Sequence, residues 1–338
     1  MDRTFFGQGG TPLFNKSYKT VTKAPNKRGW WLEMRASQRS KRSVIVLVSL
    51  LGLLSATVVG TPAKAASKIT TYKLLWADDF TGKKGTLPNP KVWAPELGGL
   101  NQNGELEFYT KDPKNLALDG AGHLLITANR IADQSEIAVS NDPAIDRMLN
   151  QCNACQFTSA KIKTASKLSF QYGRIEIRMK TPVGLGTWPA FWMLGNDLLK
   201  GIPWPDSGEI DILEQKGSLP DTAFGTIHGP NLPSGAGGGY GSTFTAQTPL
   251  NSGFHTYSIE WKKNKIDFYV DDNLYFSAAA NDGSSGTWVY NQPFFLILNL
   301  AMGGEFTGDL DPAMKRTQMS IDYIHFYSIN GVGKVIKN

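Results

Sequence analysis

The amino-acid sequence predicts an all-β domain, built as a two-sheet antiparallel β-sandwich. The 338 residues are 41% hydrophobic, 11% aromatic and 19% charged, with 35 Gly and 18 Pro. This composition excludes disordered, collagen-like, coiled-coil and polytopic membrane proteins. After residue 66 helical periodicity is scarce, whereas short runs of alternating apolar and polar residues recur between Gly, Pro, Asn and Asp. Many short strands without a helical layer are typical of a sandwich.

Seven segments carry the strand pattern. In Gly173–Lys180, for example, three apolar side chains alternate with three charged ones, which predicts one buried and one polar face. The predicted strands are Leu124–Ala128, Gly173–Lys180, Tyr257–Trp261, Ile266–Val270, Leu274–Ser277, Phe294–Leu300 and Ser320–Tyr327. Because no repeat or linker interrupts them, we expect a single domain within residues 66–338.

Two segments lack the strand pattern and are predicted to be loops. Ile131–Gln156 is polar and contains the only two cysteines, as Cys152-Asn-Ala-Cys155. No second Cys pair offers a zinc site, so a local disulfide or two unreactive thiols are expected rather than a metal or redox site. Gly229–Thr243 is rich in glycine but lacks the Lys-Ser/Thr ending of a phosphate-binding loop, which favours a mobile surface loop.

The N-terminal segment resembles an export signal. Residues 1–42 carry ten Lys/Arg, and the apolar run Val44–Leu54 is followed by Ala63-Lys64-Ala65. This order is typical of a signal peptide cleaved after Ala65, with Met34 as an alternative start. A single membrane anchor is the competing interpretation, although Gly60, Thr61 and Pro62 weaken it. We therefore expect a secreted, extracellular protein, with the periplasm or the cell surface as alternatives.

The positive net charge depends on that leader. The whole chain has a formal charge of +6, but residues 1–65 contain eleven cationic and two acidic side chains, so the remainder has a net charge of −3. A mildly acidic mature domain does not attract nucleic acid or an anionic membrane. We expect neither partner, and we expect a monomer.

Three acidic residues lie close together in Asp206-Ser-Gly-Glu209-Ile-Asp211-Ile-Leu-Glu214. On a strand, Glu209 and Asp211 share a face, whereas Glu214 would lie on the opposite, buried face at high cost. A one-residue bulge near Ile212-Leu213 would return Glu214 to the face of the other two. An acidic solvated surface is the alternative, but tryptophans nearby favour a site that holds sugar rings between two carboxylates.

This stretch resembles the E-x-D-x-x-E signature of glycoside hydrolase family 16, whose laminarinase-like members are endo-1,3-β-glucanases. The resemblance extends in order along nearly the whole mature chain. The further matching segments are Trp76–Phe80, Asn103–Thr110, Phe157–Ile162, Tyr172–Pro182, Trp188–Leu194, His228-Gly229, Phe254–Trp261, Asn299–Gly304 and Met319–Ile324. The resemblance implies a concanavalin A-like jelly roll with a concave substrate cleft, and a glycoside hydrolase domain over residues 66–338.

The resemblance also implies roles for individual residues. Glu209 matches the nucleophile and Glu214 the general acid/base of a retaining mechanism, while Asp211 orients Glu209. Matches to residues that contact sugar are Asn103, Glu176, Arg178, Trp188, Trp192 and His228, the last of them expected beside the acid/base. No cofactor is expected for catalysis. Positions that match a structural Ca²⁺ site are Asp79, Gly122 and Asp322, whose oxygen ligands suit calcium.

The substrate implied by the resemblance is neutral β-1,3-glucan of the laminarin type, or mixed β-1,3-1,4-glucan. Hydrolysis of another polysaccharide, such as agar or carrageenan, is an alternative. A non-catalytic jelly-roll carbohydrate-binding protein is another, but such a protein has no need of a carboxylate pair.

Overall fold

The computed structural model describes residues 69–99, 102–137, 154–235 and 238–337, and Thr70–Asn338 form one compact unit. The described part contains nineteen strands, one α-helical turn and four short 3₁₀ turns. The strands are β1 (Tyr72–Asp78), β2 (Ala94–Glu96), β3 (Glu107–Tyr109), β4 (Leu116–Leu118), β5 (Leu124–Arg130), β6 (Phe157–Ser159), β7 (Lys161–Lys163), β8 (Leu168–Gln171), β9 (Gly173–Lys180), β10 (Thr187–Gly195), β11 (Glu209–Gln215), β12 (Thr222–His228), β13 (Gly239–Thr245), β14 (His255–Lys262), β15 (Lys265–Val270), β16 (Asn273–Ala279), β17 (Phe294–Met302), β18 (Arg316–Ile329) and β19 (Lys334–Lys337). The helical segments are α1 (Gly304–Thr307) and the 3₁₀ turns Gln102–Gly104, Gln134–Glu136, Asn196–Lys200 and Leu250–Ser252.

The strands form two sheets. The ten-stranded sheet has the order β16-β15-β14-β9-β18-β5-β6-β3, with β1 also paired to β18 and β4 to β5. The nine-stranded sheet has the order β13-β12-β11-β10-β17-β7-β2, with β8 paired to β17 and β19 to β8. All described pairs are antiparallel except β3 with β6, which is parallel. The predicted two-sheet fold is confirmed, with this one parallel pair as a correction.

The hydrophobic core consists of side chains that both sheets contribute through strand alternation. Ile175, Ile177 and Met179 of β9 are fully buried in the same cluster as Phe191 of β10 and Ile210 of β11. Each such side chain stabilises the fold by roughly 2 kcal/mol relative to exposure. Because these residues point inward, their alternating neighbours on β9 and β11 point away from the core, on opposite sides of the two sheets.

All seven strands predicted from alternation are present, and β18 is extended the most, by six residues. The prediction of a loop over Gly229–Thr243 needs a partial correction: its described residues before 239 lie outside strands as expected, but residues 239–245 form strand β13 along β12. Gly241 permits this pairing, since a Cβ atom there would lie 2.3 Å from the carbonyl oxygen of Gly225. Glycine thus allows close approach of two backbones here, a use that composition alone does not distinguish from loop mobility.

Several sequence predictions concern residues beyond this description. The leader of residues 1–65, the alternative start Met34 and Cys152 lie outside the described residues. Cys155 is disulfide-bonded, which agrees with the expected disulfide alternative. In the described part of the chain, no helix combines the length and the apolar character needed to cross a membrane.

Candidate active site

The three acidic side chains are brought to one face by a β-bulge in β11. Asp211 pairs with Thr226 and Glu214 with Phe224, so Ile212 and Leu213 together oppose the single residue Gly225. Both bulge residues are buried in the core. The bulge therefore avoids a buried carboxylate, which would cost several kcal/mol, and buries a leucine worth about 2 kcal/mol instead. The bulge expected from the sequence is confirmed.

Glycine at position 225 makes room for the core beneath the bulge. A Cβ atom there would lie 2.2 Å from the hydroxyl oxygen of Tyr275 and 2.8 Å from Cδ1 of Phe268. Neither contact is tolerated without movement of a packed aromatic ring. Glycine at this position of β12 thus leaves the space that the core residues beneath the bulge of β11 require.

Each outer carboxylate accepts a hydrogen bond from an indole. Trp204 Nε1 donates to Glu209 Oε2 at 2.8 Å, and Trp188 Nε1 donates to Glu214 Oε1 at 2.9 Å. Both donors are neutral, so each carboxylate is oriented without being neutralised by a cationic partner in that bond. Trp204 is 40% exposed, whereas Trp188 is buried, so Trp204 is the solvent-accessible one of the two indoles that donate to the acids. The sequence prediction used Trp204 only as an aromatic neighbour and assigned it no role.

Asp211 lies between the two glutamates in sequence and is almost completely buried, with 3% exposure. His228 Nε2 lies 3.0 Å from Asp211 Oδ2, and His228 Nδ1 lies 3.1 Å from the carbonyl oxygen of Gly238. A carbonyl oxygen only accepts, so Nδ1 carries a hydrogen and donates it. Nε2 and Oδ2 lie at ion-pair distance without hydrogen-bond geometry, so a proton on Nε2 pairs the imidazolium with the Asp211 carboxylate.

The charges at this pair are set by burial and by the neighbouring acids. Burial raises the pKa of Asp211 well above its ordinary value, and the charges of Glu209 and Glu214 raise it further. For His228, burial lowers the pKa, but the bond to Asp211 and the three negative charges outweigh burial and raise the pKa to about 9. The pair of His228 and Asp211 therefore holds a proton at neutral pH, close to Glu209.

His228 occupies a different position from the one expected. It pairs in register with Glu209 and contacts Asp211, whereas the family match suggested a place beside the acid/base Glu214. Its 7% exposure leaves little surface for a sugar. The structure assigns it contacts with Asp211 and Gly238 instead.

The two predicted tryptophan platforms differ in exposure. Trp188 is only 6% exposed, because its ring packs on Phe306 with centroids 4.7 Å apart. Phe224 packs on the other side-chain ring of this cluster, with its centroid 5.2 Å from that of Phe306. Trp188 is therefore a buried support for Glu214 rather than an open platform. Trp192 is half-buried and lies on the same face, opposite Asp211.

Trp192 belongs to a hydrogen-bonded chain that the sequence prediction did not assign. Its Nε1 donates to Asn299 Oδ1 at 2.7 Å, and Asn299 Nδ2 donates to the Tyr109 hydroxyl at 3.0 Å. Lys161 Nζ lies 5.2 Å from the Trp192 ring centre and 2.9 Å from Glu96 Oε1. The signal was present, because Lys161, Asn299 and Tyr109 all lie in segments that match the family.

Asn103 lies near the Glu214 end of the row formed by Glu209, Asp211 and Glu214, which we call the acid row. It is exposed, and its Nδ2 donates to Glu105 Oε1 at 3.2 Å. Glu105 forms an isolated antiparallel β-bridge with Gly303. The preceding residue, Met302, pairs with Thr187, which is the neighbour of Trp188 in β10. The structure therefore brings Asn103 to the Trp188 and Glu214 end of the site.

Glu176 and Arg178 are placed away from the acids, which corrects their assignment to the substrate cleft. Both lie on β9 of the ten-stranded sheet and point away from the core. Glu209 and Asp211 point away from the core on the nine-stranded sheet, so the two pairs lie on opposite sides of the sandwich. Arg178 pairs there with Asp322. Alternation correctly predicted their polar face, but alternation cannot tell which sheet a strand joins.

The positions matched to calcium already have other partners. Asp322 is bound by Arg178, and the Asp79 carboxylate lies 2.7 Å from His325 Nε2. Gly122 does lie near Asp79, since a Cβ built on it would be 3.9 Å from the Asp79 carbonyl oxygen. Both carboxylates thus face basic side chains, and calcium binding at these positions stays a prediction.

One group of acidic and imidazole side chains in the described residues has the spacing of a metal site. It consists of Glu209, Asp211 and His228, whose donor atoms lie within 4.8 Å of one another. The contact between His228 and Asp211 uses two of these donors for each other.

Comparison with known proteins identifies the family. The family model for glycosyl hydrolases family 16 matches residues 125–325. The chain belongs to this family. The β-glucanase of Rhodothermus marinus is 33% identical over 303 residues, which cover 87% of this chain and 96% of that protein. The glucan endo-1,3-β-glucosidase A1 of Niallia circulans is 34% identical over 80% of this chain, but the match spans 39% of that longer protein.

Family 16 also accounts for the architecture. The laminarinase catalytic domain of Thermotoga maritima superimposes with a TM-score of 0.64 at 34% identity, and the match covers 76% of this chain and 98% of that domain. The jelly-roll fold implied by the sequence is thereby confirmed. The family 16 matched region includes all three acids of β11 and the strands on either side of it.

Proposed function

We propose that this family 16 protein is a retaining endo-glycosidase that hydrolyses internal β-1,3 linkages of β-glucan. The observation that supports this most strongly is the acid row on β11, in which a bulge brings Glu209, Asp211 and Glu214 to one face. Two carboxylates flanking one glycosidic bond are the requirement for hydrolysis, and retention results when one of them acts as the nucleophile. The relatives with β-glucanase and laminarinase activity support β-glucan as the polysaccharide.

In the first step, Glu214 protonates the glycosidic oxygen as the Glu209 carboxylate attacks the anomeric carbon. The bond to the leaving sugar breaks, and a covalent glycosyl-enzyme forms on Glu209. The indole of Trp204 holds one oxygen of Glu209, which reduces the orientational freedom of the nucleophile. Trp188 similarly orients Glu214 from its buried position.

In the second step, Glu214 is a carboxylate and accepts a proton from water. The resulting hydroxide attacks the same anomeric carbon from the face that the leaving sugar occupied, and Glu209 departs as a carboxylate. The configuration at the anomeric carbon is therefore retained after two inversions. Glu214 regains its proton, so the enzyme returns to its starting state.

Asp211 and His228 position the nucleophile and control its charge. The raised pKa of His228 keeps its imidazole protonated at neutral pH, 3.0 Å from the Asp211 carboxylate and in register with Glu209. Their role is positioning, since sugar contact is left to the more exposed side chains.

For the cellular location, we propose export by the basic leader of residues 1–65, with cleavage after Ala65. The order of charged, apolar and small residues supports this. An extracellular location suits an enzyme that acts on a polysaccharide too large to enter the cell. N-terminal sequencing of the protein recovered from culture medium tests the cleavage site.

Reducing-sugar release from a substrate panel tests the activity. We expect release from laminarin, and slower release from mixed β-1,3-1,4-glucan, with none from Glu209→Gln. Release from agarose or carrageenan alone would identify the alternative hydrolase. Binding to glucan without release from any of the four polysaccharides would identify a non-catalytic carbohydrate-binding protein. Proton NMR of the first product reports retention or inversion.

A further inference from the structure

A pocket of about 470 Å³ lies on the outward side of the ten-stranded sheet, opposite the acid row. We call it the outer-face pocket, and its walls include Arg174, Glu176, Glu260, Asp272, Tyr72 and Tyr269. The volume is within the usual range for sites that bind small ligands. None of these residues takes part in the hydrolysis proposed above.

Arg174 organises the pocket. Its Nε donates to Glu176 Oε2 at 2.9 Å, and its NH2 group donates to Asp272 Oδ1 at 2.6 Å. The guanidinium centre also lies 5.9 Å from the Tyr72 ring and 5.7 Å from the Tyr269 ring. Two carboxylates and two aromatic rings are thereby held around one cation, which is 9% exposed as a residue. Such a side chain is fixed before any ligand arrives, which reduces the entropic cost of binding.

A buried hydroxyl on the same sheet face lacks a partner. Ser258 of β14 pairs in register with Glu176 on one side and Tyr269 on the other. The residue is 1% exposed, and Ser258 Oγ has no hydrogen-bond partner among the described residues. An unsatisfied buried hydroxyl costs about 1–3 kcal/mol. The hydroxyl is shielded from solvent and does not line the pocket, so contacts with a ligand would come from the wall residues alone.

The charges of the pocket favour a neutral ligand. The three wall carboxylates face Arg174 and also Lys262, whose Nζ lies 2.9 Å from Glu260 Oε2. Three carboxylates and two cationic side chains give one net negative charge, which is too little for a dedicated cation site. Carboxylates that keep acceptor capacity, a fixed guanidinium donor and tyrosine rings are the groups that bind sugar hydroxyls and the apolar faces of sugar rings.

We infer that the outer-face pocket is a second carbohydrate-binding site, which holds a stretch of the glucan chain on the side of the molecule opposite the cleavage site. The inference rests on the proposed function for its ligand class. Two sites on one molecule raise the effective affinity for a long polysaccharide, because binding at one site brings the second site close to the same chain or its neighbour. A short oligosaccharide gains nothing from this effect.

Affinity electrophoresis in gels containing laminarin, supported by sedimentation with insoluble β-1,3-glucan, tests the site. All variants carry Glu209→Gln, so that the polysaccharide stays intact. We expect the double substitution Tyr72→Ala and Tyr269→Ala to weaken retention about three- to tenfold, the loss of one or two aromatic contacts. The corresponding Tyr72→Phe and Tyr269→Phe pair keeps both rings and should retain most of the affinity.

Two controls make the result decisive. Tyr240→Ala removes a half-buried tyrosine from β13 of the other sheet, and it should bind glucan like the parent. Circular dichroism and the thermal midpoint show whether each variant is folded. If the Ala pair is unfolded, Tyr72→Ala alone, at a side chain that is 46% exposed, decides the question, because weaker retention supports the site and unchanged retention overturns it. Retention unchanged in the Ala pair, or lost equally in Tyr240→Ala, would overturn the second site.

The outcomes separate this inference from the proposed hydrolysis. A protein without Glu209→Gln that releases no sugar from any glucan contradicts the proposed function, whereas retention by the variants still decides the pocket. Titration with choline provides a further discriminator. Choline binding that the Ala pair abolishes, together with unchanged glucan retention, would show an organic-cation site and overturn the carbohydrate assignment.

Discussion

The two outward faces of the sandwich use similar residue types with opposite electrostatic arrangements. On the nine-stranded sheet, Glu209 and Glu214 accept hydrogen bonds from neutral indoles, and Asp211 lies at ion-pair distance from His228. On the ten-stranded sheet, the carboxylates of the outer-face pocket are bonded to Arg174 or Lys262. Neutral donors orient a carboxylate and leave its charge available for chemistry. Cationic partners offset the charge and make the carboxylate a fixed acceptor.

The largest effect should come from removing the nucleophile. Glu209→Gln keeps the shape and the hydrogen-bonding reach of the side chain but cannot form the glycosyl-enzyme. We expect kcat on laminarin to fall by roughly 10⁴-fold or more, the scale seen when a nucleophile is removed. Rescue of the truncated variant Glu209→Ala by added azide or formate, which fit the vacated space, would support the nucleophile role. A rate within tenfold of the parent enzyme would assign the nucleophile elsewhere.

Asp211→Asn is expected to reduce kcat by about 10³-fold, within the range for loss of a group that controls protonation. The substitution removes the charge that raises the pKa of His228. NMR titration should therefore show the His228 pKa falling from about 9 toward or below the ordinary 6.5. A shifted pKa with unchanged kcat would limit the pair to a structural role.

The same pair predicts the pH dependence of stability. The pKa of His228 rises from 6.5 to about 9 on folding, so the folded state binds this proton more tightly than the unfolded state. The stabilisation is fully present below pH 6.5 and is lost as the pH rises through about 9, with a total of about 3 kcal/mol. Urea unfolding between pH 6 and pH 10 should show this loss, and His228→Gln should show a flatter profile. An equally steep profile in the variant would contradict the assignment.

Trp204→Phe removes the indole N–H but keeps an aromatic ring beside Glu209. Hydrogen bonds to charged groups contribute about 1.5–3 kcal/mol, so we expect kcat to fall roughly tenfold or somewhat more, with a smaller change in KM. The matched control is Trp288→Phe, which removes an indole donor to Asn291 on a loop. If both variants lose activity equally, the effect is not specific to the nucleophile.

The smallest effect is expected on the far side of the molecule. Arg178→Gln should leave kcat and KM on a β-1,3-linked pentasaccharide within about twofold, because Arg178 contacts Asp322 and Phe254 rather than the acid row. A large rise in KM would return Arg178 to the substrate cleft and contradict the placement of β9. Thermal denaturation separates such a change from unfolding.

Much of the fold could be predicted because alternation is a local property. The strand limits of β9 and the bulge of β11 follow from which side chains tolerate burial, and both agree with the structure. The assignment of each strand to a sheet, in contrast, depends on contacts between residues that are distant in sequence. The sequence could not show that β9 joins the sheet opposite β11, so Glu176 and Arg178 were assigned to the wrong face. The contact of His228 with Asp211 likewise depends on the register of β12 against β11.

Burial also separates residues that look alike in sequence. Trp188, Trp192 and Trp204 all lie near the acids, yet their exposure depends on neighbours distant in the chain, such as Phe306 against Trp188. A match between aligned segments indicates that a tryptophan belongs to the site. Only the packing shows whether its ring faces a ligand or supports a carboxylate.

The bulge makes the spacing of the two glutamates a property of the hydrophobic interior. Ile212 and Leu213 lie between Glu209 and Glu214 in sequence, and their side chains are buried in the core. Gly225 of the neighbouring strand leaves space for the aromatic rings of that core. The conformation of a solvent-exposed loop changes readily with temperature. The conformation of Ile212 and Leu213, and with it the spacing of the two glutamates, changes only when the core packing changes. The heat tolerance of catalysis should therefore follow the melting of the core closely, with little loss of geometry in advance. Enlarging or shrinking the spacer's side chains would alter the enzyme without touching any group that meets the sugar.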